Sequence, residues 1–534
     1  MSSNYLEGED DEVLLEALDD VWRMKRALRY DQVHIDFEKH DNTNFETTLA
    51  YTREENKTLK YSQYHIEFYF FTPDGVLPDN YTSWHFLKTI SNNVRLESAD
   101  ISPSEFLDRT NPNSPLTRLV RYHAKILETP RTKLRKKIIE DACSVANYIH
   151  FSIKNIRTSP RFSSKIHQRQ HFTRELKLTR TLVSAFRSVL HDYQKTLSDQ
   201  LATTLETLNV IDENISFSLE REWIKPLESQ MLHEDALLRK SIQDFLSQEL
   251  QYRERFTFLR AQPKGMTTEE KKEIFSYRLG LLKKFVQRNL YLDVTYETNN
   301  SYLVQSAAMF AAGIAAAFAY SIELLNRGHY RMDWSYDAGL LLFLSTFAYI
   351  IKDRIKDVIK SLFAKHFSSF DLRRNISLPS VSKKPFAHSL ESVKVCRSNE
   401  IPKQILKKRN RTLLKGMKRH KHETVIYYSK LLSINWNVIQ QPDRPPHNII
   451  KEIHRFNLSK MFERMDNPVK SMKFYDPVTQ QVVERTIPKV YHLNVVLSFT
   501  PVKGRKKTPI GKPSICKARL ILNKEGIKRV EIDD

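Results

Sequence analysis

Two clusters in the chain combine residue types and spacing suited to chemistry. The stretch KQILKKRNRTLLKGMKRHKHE, residues 403–423, holds nine basic residues: Lys403, Lys407, Lys408, Arg409, Arg411, Lys415, Lys418, Arg419 and Lys421. Closely set ammonium and guanidinium groups attract polyanions. Anionic lipid headgroups would gain about 1 kcal/mol per basic residue near a membrane surface. Nucleic-acid phosphates would bind without base specificity and with steep salt dependence. The segment has no aromatic residue, so a base-stacking platform is not expected. The competing reading is a solvated basic face.

The second cluster is His34, Asp36, Glu38 and His40 in RYDQVHIDFEKH, with His65 and Glu67 in the later SQYHIEFYFF. Alternation places the first four on one face of a strand, and imidazole and carboxylate are ligands for zinc or iron. Residues two apart on one strand rarely converge on a single ion, and the same alternation marks the wet side of any half-exposed sheet. These four are therefore weak metal candidates, and no cofactor is expected. GRKKTPIGKPS is not a phosphate loop, because Gly504 and Gly511 are seven apart and Lys512 precedes Pro513. GxSxG, HExxH and GxGxxG are absent, and Gly supplies only 11 of 534 residues, so an enzyme is the less favoured class.

These clusters lie in a basic chain, with 85 Lys+Arg against 63 Asp+Glu and a net charge of +22. Mean hydropathy is −0.50. Against that background AAMFAAGIAAAFAY, residues 307–320, stands apart. Extended to 302–325 it would rise about 36 Å as a helix, enough to cross a ~30 Å hydrocarbon core. A second apolar run, AGLLLFLSTFAYII, lies within 336–353. Ala307, Ala311, Ala315 and Ala319 recur every four residues, the small-residue spacing of packed membrane helices. A transmembrane hairpin is expected, with homo-oligomer contacts through those alanines. Basic residues flank the pair on both sides, which puts both termini on the cytoplasmic side of a multi-pass membrane protein. The first thirty residues hold no apolar run, so no secretion signal is expected. Cys143, Cys396 and Cys516 are isolated, in keeping with a reduced setting.

The expected fold class is an α+β membrane protein with an N-terminal antiparallel sheet plus helical region and a C-terminal β-rich domain. Alternation predicts strands between 31 and 71 and again in VYHLNVVLSF, ARLILN and IKRVEI. Helical segments are expected at SWHFLKTISNNVRL, over TRLVRYHAKILE and KLRKKIIEDACSVANYIHFSIKNIR, and over most of about 172–290. The expected organisation is an acidic segment at 1–30, an α+β domain at 31–165 and a helical region at 166–295. Spans at 302–325 and 336–353 would follow, then a basic juxtamembrane segment at 354–423 and a β-rich domain at 424–534. The expected function is a membrane-anchored cytoplasmic scaffold that contacts the lipid bilayer, or a polyanion, through its basic segment. The rivals are an oligomeric two-span channel or transporter subunit, and a membrane-tethered enzyme with its site in the N-terminal α+β domain.

Overall fold

The structure is a computed structural model of the chain. It describes residues 19, 22–23, 35–53, 61–73, 75–78, 81–128, 132–154, 165–196, 202–228, 235–254, 267–298, 309–318, 320–321, 343, 346–347, 350–354, 357–358, 372–378, 385–409, 423–440, 445–504 and 508–533.

Alternating apolar residues form strands where their two faces meet different surroundings. The first four are β1 (Ile35–Lys39), β2 (Asn44–Thr52), β3 (Tyr61–Thr72) and β4 (Ile90–Leu96). After the helices come β5 (Asp293–Thr298), β6 (Leu372–Ser377), β7 (Ala387–Arg397), β8 (Thr424–Asn435) and β9 (Ile449–Asn457). The last six are β10 (Val469–Asp476), β11 (Gln481–Pro488), β12 (Tyr491–Lys503), β13 (Thr508–Pro509), β14 (Ser514–Asn523) and β15 (Gly526–Asp533).

They assemble into a small sheet, order β1-β2-β9-β4, and a large one, order β15-β14-β12-β3-β8-β7-β6-β5 with β13 beside β12. β10 and β11 pair only with each other. Strands from the two ends of the chain are interleaved: β3 lies between β12 and β8, and β9 lies between β2 and β4. The regions 31–165 and 424–534 thus share both sheets.

The two sheets share one apolar core. Phe456 of the small sheet meets Phe68 and Phe70 of the large one at ring-centroid distances of 5.3 and 4.9 Å. Tyr51 stacks on Phe499 in the same layer. Each aromatic buried here contributes about 1.5–3 kcal/mol relative to exposure. The β14–β15 turn depends on Gly526, at φ 128°. A Cβ there would sit 2.3 Å from the Asn42 carbonyl oxygen, which accepts a 2.7 Å hydrogen bond from Ile527 N–H.

A helical unit fills the chain between β4 and β5. Its helices follow α1 (Ser83–Thr89) as α2 (Pro103–Leu107), α3 (Pro115–Glu128), α4 (Thr132–Ile153), α5 (Lys165–Thr196), α6 (Ala202–Leu227), α7 (Ala236–Arg253) and α8 (Thr268–Gln287). Their apolar faces enclose a second core, in which Phe106 stacks on Tyr148 at 4.1 Å and Trp223 is fully buried. Charged residues at its margin are paired, as where Arg187 bridges Asp212 and Glu249 at 3.1 and 2.6 Å. After α8 the chain runs along the edge of β4. Leu96 N–H donates to Leu290 C=O at 2.8 Å, and Leu292 N–H to Val94 C=O at 3.0 Å.

The membrane reading is overturned. Among the described residues no helix is long and apolar enough to cross a membrane. With it fall the α+β membrane fold class, the spans at 302–325 and 336–353, and the multi-pass location with both termini cytoplasmic. The membrane-anchored scaffold, the two-span channel and the membrane-tethered enzyme fall too. What stands is an α+β fold with large antiparallel sheets. In the alanine series, Ala311 and Ala315 are fully buried. Ala307 and Ala319 lie outside the described residues.

Candidate anion-binding site

A cavity of about 310 Å³ opens where the small sheet meets the helical unit. That is at the lower end of the ~300–1,000 Å³ common for ligand pockets. Four elements build it, and each contributes by its own periodicity.

Helix α4 and the turn after it supply Asn147, His150, Phe151 and Lys154. Spacings of three and four place them along one helix face. Helix α6 contributes Arg221 and Glu222, and α8 contributes Lys283 and Gln287, one turn apart. A capping box fixes the start of α8, with Thr267 N–H donating to Glu270 Oε2 at 2.8 Å. The sheet brings Arg95 on β4, then Glu97 and Ser98 just beyond it, and Lys451 on β9.

Positive charge dominates. Five cations, Arg95, Lys154, Arg221, Lys283 and Lys451, face two carboxylates, Glu97 and Glu222. Both carboxylates are engaged. Glu97 holds Lys451 at 2.5 Å, and Glu222 holds Lys225 at 2.5 Å and Arg221 at 3.2 Å. Against burial, which works the other way, Lys225 and Arg221 keep Glu222 below the ordinary carboxylate range. Among the described residues, Arg95, Lys154 and Lys283 form no ion pair. Arg95 and Lys451 are moreover direct cross-strand partners. Like charges directly opposite each other destabilise a sheet.

The electrostatics of the groups agree. Lys154 is held below the ordinary lysine range first by lost hydration and then by Lys451 and Arg95, with Glu97 and Glu222 acting the other way. Lys283 is lowered in the same sense by lost hydration, Arg221 and Arg95. His150 is pushed down to about 4 by burial and then by Arg221, so it is neutral near pH 7. All three shifts have one physical content: further positive charge is unwelcome here and negative charge would relieve it.

Two polar atoms of the lining are buried and unpartnered, Ser98 Oγ and His150 Nδ1. Leaving such groups without a hydrogen bond costs about 1–3 kcal/mol each. Ser98 is only 7% exposed. The two are not bonded to each other, so they do not form an activated nucleophile–base pair. The arrangement is equipped to hold an anion.

The clusters singled out in the sequence lie elsewhere. Lys403, Lys407, Lys408 and Arg409 fall on a short helix, α9 (Lys403–Arg409), which packs through buried Ile405 against β12 and β14. Lys403 and Lys407 are exposed. Arg409 is committed, paired with Glu423 at 2.5 Å and lying over the Phe71 ring. Arg411, Lys415, Lys418, Arg419 and Lys421 lie outside the described residues, as does His34. Asp36 and Glu38 are exposed on β1, and His40 Nδ1 lies 3.4 Å from Glu46. Among the described residues no group of three or more His, Cys, Asp or Glu is placed to hold a metal.

The pocket residues were not visible as a cluster in the sequence. The available signal was polar residues at 147, 150 and 154 on the face of a helix that packs inward elsewhere. No family model matches the chain, and neither does any curated protein or solved structure.

Proposed function

We propose that this protein binds a small polyanionic ligand of the phosphate class in the pocket between the small sheet and helices α4, α6 and α8. One observation carries the reading. Three cations without carboxylate partners, Arg95, Lys154 and Lys283, border a cavity in which Ser98 Oγ and His150 Nδ1 are buried without partners. A phosphate group supplies what each lacks: charge for the cations, and acceptor oxygens for the hydroxyl and for neutral His150 in its Nδ1–H tautomer. The open rim lets the cations raise the local concentration of anions, an effect that salt screens.

Titrating the full chain with inorganic pyrophosphate by calorimetry tests this. Saturable one-site binding that weakens as salt rises is expected. In the triple variant Arg95→Gln, Lys154→Gln, Lys283→Gln, binding should fall at least a hundredfold while the thermal midpoint holds or rises. Three charge-assisted hydrogen bonds at about 1.5–3 kcal/mol each set that scale. Unchanged binding in the triple variant would remove the pocket from consideration.

A further inference from the structure

The anion-binding pocket also has lining residues that an inorganic anion would leave unused. Leu96, Phe151 and Leu290 line it with apolar surface, and Phe151 presents an aromatic ring among them. Two amides, Asn147 and Gln287, also belong to the lining, both largely buried. Asn147 uses Nδ2 to donate to Val286 C=O at 2.9 Å, which leaves its Oδ1 as an acceptor. Resting on the phosphate-class reading above, we infer that the ligand is a nucleoside diphosphate.

The charge count fits this class. Arg95, Lys154 and Lys283 are the three cations not already neutralised by a carboxylate. A diphosphate ester carries about three negative charges near neutral pH. The remaining lining suits a heteroaromatic base. A ring stacks on Phe151, since every base has a π face and base–aromatic stacking is among the stronger contacts a protein offers. Carboxamides pair with base edges, and the free acceptor of Asn147 and the amide of Gln287 are in place for that. His150, neutral near pH 7, adds an uncharged hydrogen-bonding group between base and phosphates.

The experiment compares ADP, pyrophosphate and adenosine on the full chain by calorimetry at one salt concentration. The inference expects ADP to bind at least tenfold more tightly than pyrophosphate. Phe151→Leu should erase most of that advantage and leave pyrophosphate affinity within twofold. Equal affinity for ADP and pyrophosphate would overturn the nucleotide assignment and leave the anion pocket standing. If neither binds, both readings fall. The ADP-to-pyrophosphate ratio in the unaltered chain decides the point even if Phe151→Leu does not fold.

Discussion

The molecule holds two clusters of charge that the fold treats in opposite ways. One lies sealed between the sheets: Arg374 on β6, Glu391 on β7, Lys430 on β8, and Glu452 and His454 on β9. Lys430, Glu452 and His454 have no exposed surface at all. The other is the pocket, where the cations stand at an open rim. In the sealed cluster each charge lies beside an opposite one, although Arg374 Nε and Nη1, Glu391 Oε2 and both His454 ring nitrogens make no hydrogen bond. Arg374 meets Glu391 at 2.8 Å, Lys430 lies between Glu391 at 3.4 Å and Glu452, and Glu452 also accepts from Tyr51 at 2.5 Å and from Asn92. In the pocket three cations go unanswered.

The contrast separates structure from binding. A charge removed from water must find its counter-charge within the protein, because uncompensated burial costs several kcal/mol. A charge left unanswered beside a cavity costs far less and keeps its attraction for a ligand. Burial opposes ionisation in the sealed cluster, yet Lys430 and then Arg374 hold Glu391 below the ordinary carboxylate range. Lys430 and His454 do the same for Glu452. In the pocket lost hydration lowers the cations and no carboxylate restores Lys283.

Breaking the sealed cluster should produce the largest effect. Lys430→Met leaves Glu452 and half of Glu391's partnership buried and unpaired, and a loss of about 3–5 kcal/mol is expected. Urea unfolding measures it, and a loss under about 1 kcal/mol would mean the sealed network is not closed.

Acid probes the same cluster. His454 is pushed down to about 4 by burial, so the unfolded chain binds a proton between about pH 4 and 6.5 that the folded chain refuses. Stability therefore rises with pH across that window and is lost as pH falls. The full loss attributable to His454 is about 3 kcal/mol by pH 4. Below about pH 4.5 the lowered carboxylates Glu391 and Glu452 begin to add to the loss, as the unfolded chain takes up protons that they resist. Unfolding at pH 7 and pH 5 in the parent and in His454→Gln would show it. An equal slope in both would assign the acid sensitivity elsewhere, His150 being the next group with the same direction.

The smallest effect is expected in the pocket. Arg95→Gln removes one half of the like-charged Arg95–Lys451 cross-strand pair. Stability should stay within about 0.5 kcal/mol or rise, on the scale of such cross-strand terms. A loss beyond about 1 kcal/mol would show that Arg95 is structural, and the distinction between the two clusters would narrow.

Much of the fold was legible because element periodicity is local. Alternation in SQYHIEFYFF and VYHLNVVLSF predicted strands, and β3 and β12 occupy those residues. The helical pattern from Thr117 onward corresponds to α3 through α8, whereas SWHFLKTISNNVRL, read as helical throughout, is α1 followed by β4. Hydropathy over 302–325 misled in a specific way. A window sums apolar character and does not see what surrounds it: in the described part of that stretch Ala311 and Ala315 are fully buried while Met309, Phe310, Ile314 and Phe318 are exposed. The basic count over 403–423 likewise could not tell free cations from Arg409, which is spent on Glu423. None of the pocket cations stood out, since each arrives alone on a different element.

The sequence by itself determined which residues alternate, which repeat at helical spacing, and that the chain is strongly basic. Those properties depend on neighbours within a few positions. Only the tertiary structure decided that β3 would lie between β12 and β8, that Lys430 would find Glu391 and Glu452, and that five cations would line one pocket with two carboxylates. Charge compensation is a matter of distance in space, and strands hundreds of residues apart in the chain set those distances.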